Sequence, residues 1–356
     1  MGAGGGAGLF PCDVVLLMSL TDWNSLHGDA FRGRRVLVTG GAGFIGSHLC
    51  EALTTLGADV VAYDDLSGTD GRWDNLEPFF VGQKVRDTLL NASALREAAA
   101  GCDLIFHQAA MGSVPRSVEL PRQYHEVNVT GTLNVLEAAR DAGVRRVMFA
   151  ASSSAYGDTP TLPKVESMPP LPRSPYAATK VAGEALLRAY AISYGTPGPG
   201  PDRDREPGVG LDTFSTRYFN IFGPRQNANS AYAAVIAAFA AALRRGERPV
   251  IYGDGEQSRD FTHVHNAVHA NLLAARHPGR LDGEVCNIAC GQRITVNQLA
   301  ETMARALGRP DLAPEHRPER AGDVKHSLAD LTLARDTLGY RPIVDFETGL
   351  RATLGE

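Results

Sequence analysis

Tyr176 and Lys180 stand four residues apart, so on a helix their side chains share one face a single turn apart. A phenol titrates near about 10 and is a poor base at neutral pH, but an adjacent ammonium stabilises the phenolate and brings its pKa toward the working range. Three serines, Ser152, Ser153 and Ser154, end the apolar run RRVMFAASSS and precede the tyrosine by 24 to 22 residues. A hydroxyl there can hydrogen-bond a reacting oxygen. Alone, Tyr-x-x-x-Lys is more often an exposed helix pair. With Ser152 or Ser154 it forms a candidate catalytic group for moving a proton on and off a substrate hydroxyl.

A second constellation lies upstream. The run RRVLVTG leads directly into GGAGFIGSHL, giving Gly40-x-x-Gly43-x-x-Gly46 at a strand-to-helix junction. The glycines permit a tight turn, let backbone N–H groups approach a pyrophosphate, and at Gly46 allow close helix packing. Asp64 ends the next strand, 24 residues after Gly40, where a carboxylate can accept both ribose hydroxyls. That carboxylate would repel the extra phosphate of NADP, with no basic side chain nearby to offset it, so NAD is the expected dinucleotide. The positive nicotinamide ring would further favour phenolate at Tyr176. The bland alternative makes the glycines a loop and Asp64 a turn residue, and leaves their joint placement to chance.

The elements needed to hold these residues are legible. RRVLVTG, ADVVAYDD, CDLIFHQAA and RRVMFAASSS are short, continuous apolar runs of the kind a sheet covered on both faces requires, and they alternate with helical patterns such as Phe44 to Leu56 and Tyr124 to Ala142. This rhythm predicts an α/β fold: a Rossmann-type doubly wound parallel sheet with a smaller C-terminal α/β lobe for substrate. A Pro-rich stretch, Thr159 to Pro175, precedes a helix from Tyr176 to about Tyr194. Gly195 to Gly210 reads as a solvent loop, since its proline, glycine and charge leave almost nothing to bury. Strand LDTFSTRYFN follows, then helix Ala231 to Arg245, strand PVIYGDG, helix His263 to Arg276, strand VCNIA and helix Val296 to Leu307. Residues 32–215 are expected to form mainly the NAD-binding domain and 216–356 mainly the substrate lobe, with exchanged segments. Residues 1–31 read as a flexible extension, with Met18 as an alternative start.

Composition narrows the classes further. The 356 residues are 44% hydrophobic and 21% charged, ordinary globular usage, and no 18-residue apolar stretch could span a bilayer. A net charge of −5 argues against a general nucleic-acid surface, so an anionic ligand must be held by a few placed arginines or backbone dipoles. The five cysteines contain no C-x-x-C pair and suit a reducing, cytoplasmic setting without structural zinc or other metal. VVLLMSL near the N-terminus lacks the basic flank of a secretory signal.

TGGAGFIGSHL, the SSS cluster, YAATK and RYFNIFGPRQ resemble the extended short-chain dehydrogenase/reductase superfamily, in its nucleotide-sugar epimerase branch, over nearly the whole chain from Arg34. Within that branch HQAAMGSVPRSVE, ASSSAYGDTPTLPKVE, FGPRQNANSAYAAVI, GDGEQSRDF and GDVKHSLAD are similar to bacterial UDP-N-acetylhexosamine 4-epimerases of surface-polysaccharide synthesis. The resemblance implies that Ser152 or Ser154 acts with Tyr176 and Lys180. Around NAD it implies Gly40, Gly43, Phe44, Ile45, Gly46, Asp64, Asp65, Asp87, Ala109, Ala110, Asn128 and Tyr218 beside the catalytic pair. Asn128 would hold the active-site backbone, or equally tie two strands as a buried amide. For the UDP-sugar it implies Gly112, Ser113, Ser152 and Ser153 near the sugar, with Tyr232, Val235 and Tyr252. Asn220, Arg259, Arg320 and Asp323 would hold the nucleotide diphosphate and ribose; Ser327 would stand at the gatekeeping position of the sugar pocket. Serine there leaves room for a 2-acetamido group without excluding glucose. Lys84 departs from the pattern, standing where relatives carry an acidic residue facing adenine.

The implied reaction oxidises the 4-hydroxyl of a UDP-sugar, turns the ketose over, and reduces its opposite face, with NAD retained. A dehydratase or a uronate 4-epimerase or decarboxylase could use the same scaffold. Ser153-Ser154 occupies the place of the dehydratases' Asp-Glu pair, and Arg116 could meet a sugar carboxylate. A non-catalytic NAD-binding protein would have no use for the Ser, Tyr and Lys together. The resemblance also implies a homodimer formed through the helices beginning at Tyr124 and Tyr176.

Overall fold

The structure, a computed structural model, describes residues 20–77, 79–195, 210–226, 234–318 and 326–355. The first half runs α1 (Trp23–His27), β1 (Arg35–Thr39), α2 (Phe44–Thr55), β2 (Asp59–Tyr63), β3 (Gln83–Val85), α3 (Ala92–Ala99), β4 (Leu104–His107), α4 (Val114–Glu119), α5 (Pro121–His125), α6 (Gly131–Ala142), β5 (Arg146–Ser152), α7 (Pro175–Tyr194) and β6 (Asp212–Tyr218). The second half runs β7 (Ile221–Phe222), α8 (Ala234–Arg244), β8 (Val250–Tyr252), β9 (Ser258–Arg259), β10 (Thr262–His263), α9 (Val264–Arg276), β11 (Glu284–Ile288), β12 (Ile294–Thr295), α10 (Val296–Ala306), β13 (Glu315–Arg317), α11 (Thr332–Leu338) and α12 (Phe346–Leu354).

Seven strands form one parallel sheet in the order β3-β2-β1-β4-β5-β6-β11. The expected doubly wound fold is the one observed. β4, LIFH, is buried at all four positions, and β5 at six of seven, because helices cover both faces. On one face α2 and α9 meet Val36, Val38 and Phe106 through Leu49, Leu53, Val268 and Leu272. On the other, α3, α6 and α7 bring Leu95, Val135, Leu136 and Leu187 against Leu37, Ile105 and Val147. A separate core around Phe222, Phe261, Met303, Phe346 and Leu350 belongs to the smaller lobe. The chain then returns β11 to the edge of the main sheet beside β6, so α9 and β11, beyond residue 215, join the dinucleotide-side body.

Two expectations need correction, and one strand was not anticipated. The extension is not free up to Phe31: Trp23, His27 and Phe31 are buried, α1 is capped by Asp22, and Thr21 Oγ1 lies 2.8 Å from His265 Nδ1. These apolar and aromatic side chains cover the edges of α2 and α9 and gain burial that outweighs chain entropy; residues 1–19, Met18 included, lie outside the described residues. The helix expected from Tyr124 to Ala142 is interrupted by a wide π-type turn at Glu126–Thr130 that brings Asn128 inward. Finally, β3 is an edge strand that QKV does not announce, since only Val85 in it is apolar.

Candidate active site

Residues from distant parts of the sequence gather at the carboxyl ends of the parallel strands: Gly40 after β1, Asp64 after β2, Ala109 and Ala110 after β4, Ser152 ending β5 and Asn220 after β6. That is where ligands bind in open α/β sheets. Gly40 turns the chain at φ +71°, and a Cβ on it would lie 2.7 Å from the Ala109 nitrogen. Gly46 is tighter still, with a Cβ only 1.9 Å from the Gly40 carbonyl oxygen. α2 starts at Phe44 with Gly43 as N-cap and no side-chain oxygen over its first turn, so the N–H groups of Phe44, Ile45 and Gly46 and the positive helix end suit a pyrophosphate.

Asp64 is buried, and its carboxylate accepts the Ala42 N–H at 3.1 Å and the Leu66 N–H at 2.8 Å, the latter from a left-handed residue at φ +62°. Burial raises its pKa against these stabilising donors. Each oxygen keeps a lone pair for a ribose hydroxyl. The cradle therefore fits a dinucleotide. Asp65 is engaged locally by Ser67, and Asp87 accepts from the Thr88 N–H and from Asn91, the cap of α3. Lys84 lies on the edge strand, 3.4 Å from Glu77 and 5.8 Å over the Trp73 ring, turned to its own neighbours. The Tyr218 hydroxyl is taken up by Gln108 and Asn271, at 3.1 and 2.6 Å, which leaves only its ring and backbone for a cofactor.

Ser174 caps α7 by accepting the Ala177 N–H, and Pro175 occupies the first turn, so Tyr176 sits at the helix entrance and Lys180 one turn inside. Lys180 is buried; Nζ donates to the Ala150 carbonyl at 2.7 Å and lies 4.9 Å over the Phe149 ring and 5.9 Å from the Tyr176 ring centre. Burial lowers its pKa to about 7, against the opposing charge of Glu184. Two residues beyond Ala150, Ser152 Oγ accepts the Ser154 N–H at 3.2 Å and lies 2.9 Å from Ser154 Oγ. The two hydroxyls act as a pair, with Ser153 between them on the same 3-10 turn. Asn128 ties the region together: its amide accepts the Met111 N–H at 2.8 Å and donates to the Met111 carbonyl and to Thr179 Oγ1, at 3.1 and 3.0 Å, while Thr179 in turn donates to the Tyr176 carbonyl.

On the lobe side Asn220 accepts the Thr262 N–H through its carbonyl, Arg259 lies on β9, Tyr252 ends β8 and Val235 is in α8. The Ser327 N–H donates to the Ser258 carbonyl at 3.0 Å, and its shielded hydroxyl has no partner among the described residues. Gly112 has open space where a Cβ would be, and Ser113 caps α4. Tyr232, Arg320 and Asp323 lie outside the described residues, as does most of the loop from Gly195 to Gly210. The neck of that loop is closed: the Leu211 N–H donates to the Tyr194 carbonyl at 3.0 Å.

Sequence reasoning missed Asp260. Fully buried beside Arg259, it accepts N–H groups from Cys290, Gly291 and Ala329, and burial raises its pKa to about 6. It joins three segments, those of Asp260 itself, of Cys290 with Gly291, and of Ala329. It also missed Glu184 and Arg217, although Glu184 is one turn beyond Lys180 in sequence. Among the described residues no group of His, Cys, Asp and Glu could hold a metal ion, and no helix is long and apolar enough to cross a membrane.

The doubly wound sheet, the glycine turn with the buried Asp64 carboxylate beside it, and the helix carrying Tyr176 and Lys180 are those of the extended short-chain dehydrogenase/reductase kind. The chain belongs to the NAD dependent epimerase/dehydratase family, whose model matches residues 36–289, and NAD is its cofactor. It is 39% identical over 325 residues to a UDP-glucose 4-epimerase of Mycolicibacterium smegmatis, covering 90% of this chain and 97% of that one. Among solved structures it is similar to the UDP-N-acetylglucosamine 4-epimerase of Methanobrevibacter ruminantium in complex with UDP-N-acetylmuramic acid, with a TM-score of 0.81, 39% identity and coverage of 91% and 98%. The UDP-glucose 4-epimerase of Thermus thermophilus in complex with NAD matches with a TM-score of 0.76, 34% identity and coverage of 90% and 98%.

Proposed function

We propose that the protein is a UDP-sugar 4-epimerase acting on UDP-N-acetylglucosamine and UDP-N-acetylgalactosamine, with UDP-glucose and UDP-galactose as a second pair. The observation that carries this reading is the Tyr176–Lys180 pair, its ammonium fixed on Ala150 at the end of the strand that presents Ser152. In this reading Tyr176 as phenolate takes the proton of the 4-hydroxyl, and Ser152 donates a hydrogen bond to the same oxygen. NAD, when bound, supplies a reversible two-electron acceptor for the hydrogen on the sugar carbon. Lys180 keeps Tyr176 ionised, and Asn128 fixes the height of α7 against the Met111 segment. Arg259, Arg320 and Asp323, with Asn220, would grip the nucleotide, so the freed 4-ketose can turn while the diphosphate stays anchored.

Ser327 supports the acetamido sugars because a small side chain at this position leaves room where a large aromatic one would exclude a 2-acetamido group. Dehydration is disfavoured by Ser153 and Ser154, which offer no carboxylic acid. A uronate reading would need Arg116, exposed on α4, as the carboxylate partner. We also infer a homodimer through α6 and α7, whose Leu133 and Ile192 are exposed, the latter 65%, as is Val118 of α4. The test is to incubate the protein separately with UDP-N-acetylglucosamine, UDP-glucose and UDP-glucuronate and to resolve the products. Unchanged mass with altered retention, strongest for the acetamido sugar, is expected. Loss of water or carbon dioxide, or inversion of the uronate alone, would overturn the reading.

A further inference from the structure

Lys180 carries its charge where water cannot reach it, and the hydrogen bond to Ala150 alone does not compensate an ammonium. The opposing charge on its own helix lies one turn further along α7, at a carboxylate whose ion-pair partner is Arg217. Glu184 is buried and accepts two parallel hydrogen bonds from Arg217 of β6, Nε to Oε1 at 2.8 Å and Nη2 to Oε2 at 2.7 Å. Arg217 is buried as well, with its guanidinium 4.7 Å over the Tyr156 ring, whose hydroxyl donates to Asn287 Oδ1 at 2.6 Å. Its third nitrogen, Nη1, is shielded and has no partner among the described residues. Positive, negative and positive groups thus lie in sequence from Lys180 through Glu184 to Arg217, sealed from solvent.

We propose that Glu184 is a positioning residue for the proton chemistry: its carboxylate, held in a fixed orientation by the Arg217 fork, keeps Lys180 protonated and so sets the pH range over which Tyr176 can act as a base. Glu184 touches neither substrate nor cofactor and acts through Lys180. The inference rests on the catalytic reading of Tyr176 and Lys180 given above. A purely structural role, pinning α7 to β6, is the competing account, and a buried ion pair is weak evidence for stability by itself. The two differ in what they predict for Lys180. Burial has already brought that group's pKa down to about 7, with Glu184 acting in the opposite direction. Removing the carboxylate charge therefore carries it further down, and at neutral pH Tyr176 loses the ammonium beside it.

Other titratable groups facing Lys180 are Tyr176 on its own helix and His107 of β4, which burial and the Lys180 charge keep neutral. Tyr156 carries the Arg217 guanidinium over its ring. On the remaining elements against α7, Arg116, Glu119, Arg122, His125 and Glu126 are exposed to water. Glu137 and Arg140 of α6 pair with each other, and Arg146 of β5 pairs with Asp212 of β6.

The chain has four lysines, Lys84, Lys164, Lys180 and Lys325, so the ε-carbon resonances of 13C-labelled lysine are few enough to titrate individually in the NAD-loaded protein, with Lys180→Met identifying the signal. Glu184→Gln is expected to lower the Lys180 midpoint by about one pH unit or more, and Glu184→Asp, which keeps the charge, to leave it within a few tenths. The acid-side midpoint of sugar turnover should move upward in Glu184→Gln. Where Glu184→Gln fails to fold, Glu184→Gln with Arg217→Met removes both buried charges together and should still lower the midpoint. An unchanged Lys180 midpoint in whichever of these folds overturns the proposal. The NMR titration reads Lys180 whether or not sugar is converted: a shift in the variant with no turnover by the unaltered protein counts against the epimerase reading alone, and turnover by the unaltered protein with no shift in the variant counts against Glu184 alone.

Discussion

Replacing Gly46 by alanine tests the dinucleotide turn at its tightest point. The added Cβ would sit 1.9 Å from the Gly40 oxygen, 2.7 Å from the Gly40 carbonyl carbon and 3.0 Å from the Gly41 Cα, where ordinary contact begins near 3.4 Å. All three are backbone atoms, so no side chain can rotate away. Gly40 cannot give ground either, because it turns at φ +71° directly against Ala109. The first turn of α2 must therefore retreat by about 1.5 Å, at about 1–3 kcal/mol for overpacking of this kind. The retreat also lengthens the N–H contacts to the pyrophosphate. Losing even one charge-assisted hydrogen bond, worth about 1.5–3 kcal/mol, weakens binding about ten- to a hundredfold. NAD released by acid from the purified variant and assayed enzymatically should fall to a small fraction of the wild-type content, with a lowered Tm. Gly43→Ala, whose Cβ would meet the same oxygen at 3.2 Å, should keep most of its cofactor. Full NAD content and an unchanged Tm in Gly46→Ala would refute the assignment of this turn to the pyrophosphate.

Acid should destabilise the fold. Burial lowers His27, His107 and His263 to about 3 and His265 and His269 to about 4, from 6.5. The unfolded chain therefore binds more protons between those limits, and stability complete above 6.5 is lost as pH falls, by about 1.4 kcal/mol per neutral histidine per unit. Asp260, raised to about 6, and the carboxyls of Asp64 and Glu166, also raised by burial, work the other way but are outnumbered by the histidines, so Tm should drop from pH 6.5 to 5; a flat Tm would contradict the buried histidines. Asn128→Ala removes the amide that joins Met111 to Thr179, and should cost about 2–3 kcal/mol in denaturant unfolding and lower kcat more than it raises KM; unchanged kcat would make Asn128 merely structural. Ser327→Tyr should suppress turnover of acetamido sugars more than of plain hexoses, and equal loss on both would remove it from the sugar pocket.

The alternation of apolar runs with helical patterns was enough to anticipate the sheet because β1, β4 and β5 are covered on both faces and so must be apolar at nearly every position. Gly40, Gly46 and Asp64 were equally visible, since local geometry dictates their types. β3 was not, because an edge strand reading QKV owes its place to pairing with β2 rather than to a pattern of its own. The docking of Trp23 and Phe31 was hidden for a related reason: their partners on α9 are more than two hundred residues away. Asp260 and Arg217 read as ordinary charged residues until the fold buries them, and only then do their partners explain them.

The most direct measurement compares Tyr176→Phe with the unaltered protein for bound NAD, UDP affinity and interconversion of the 4-epimers. The account predicts full cofactor content and unchanged UDP binding with sugar exchange abolished, because only the proton acceptor has been removed. Near-normal interconversion by the phenylalanine variant would contradict it.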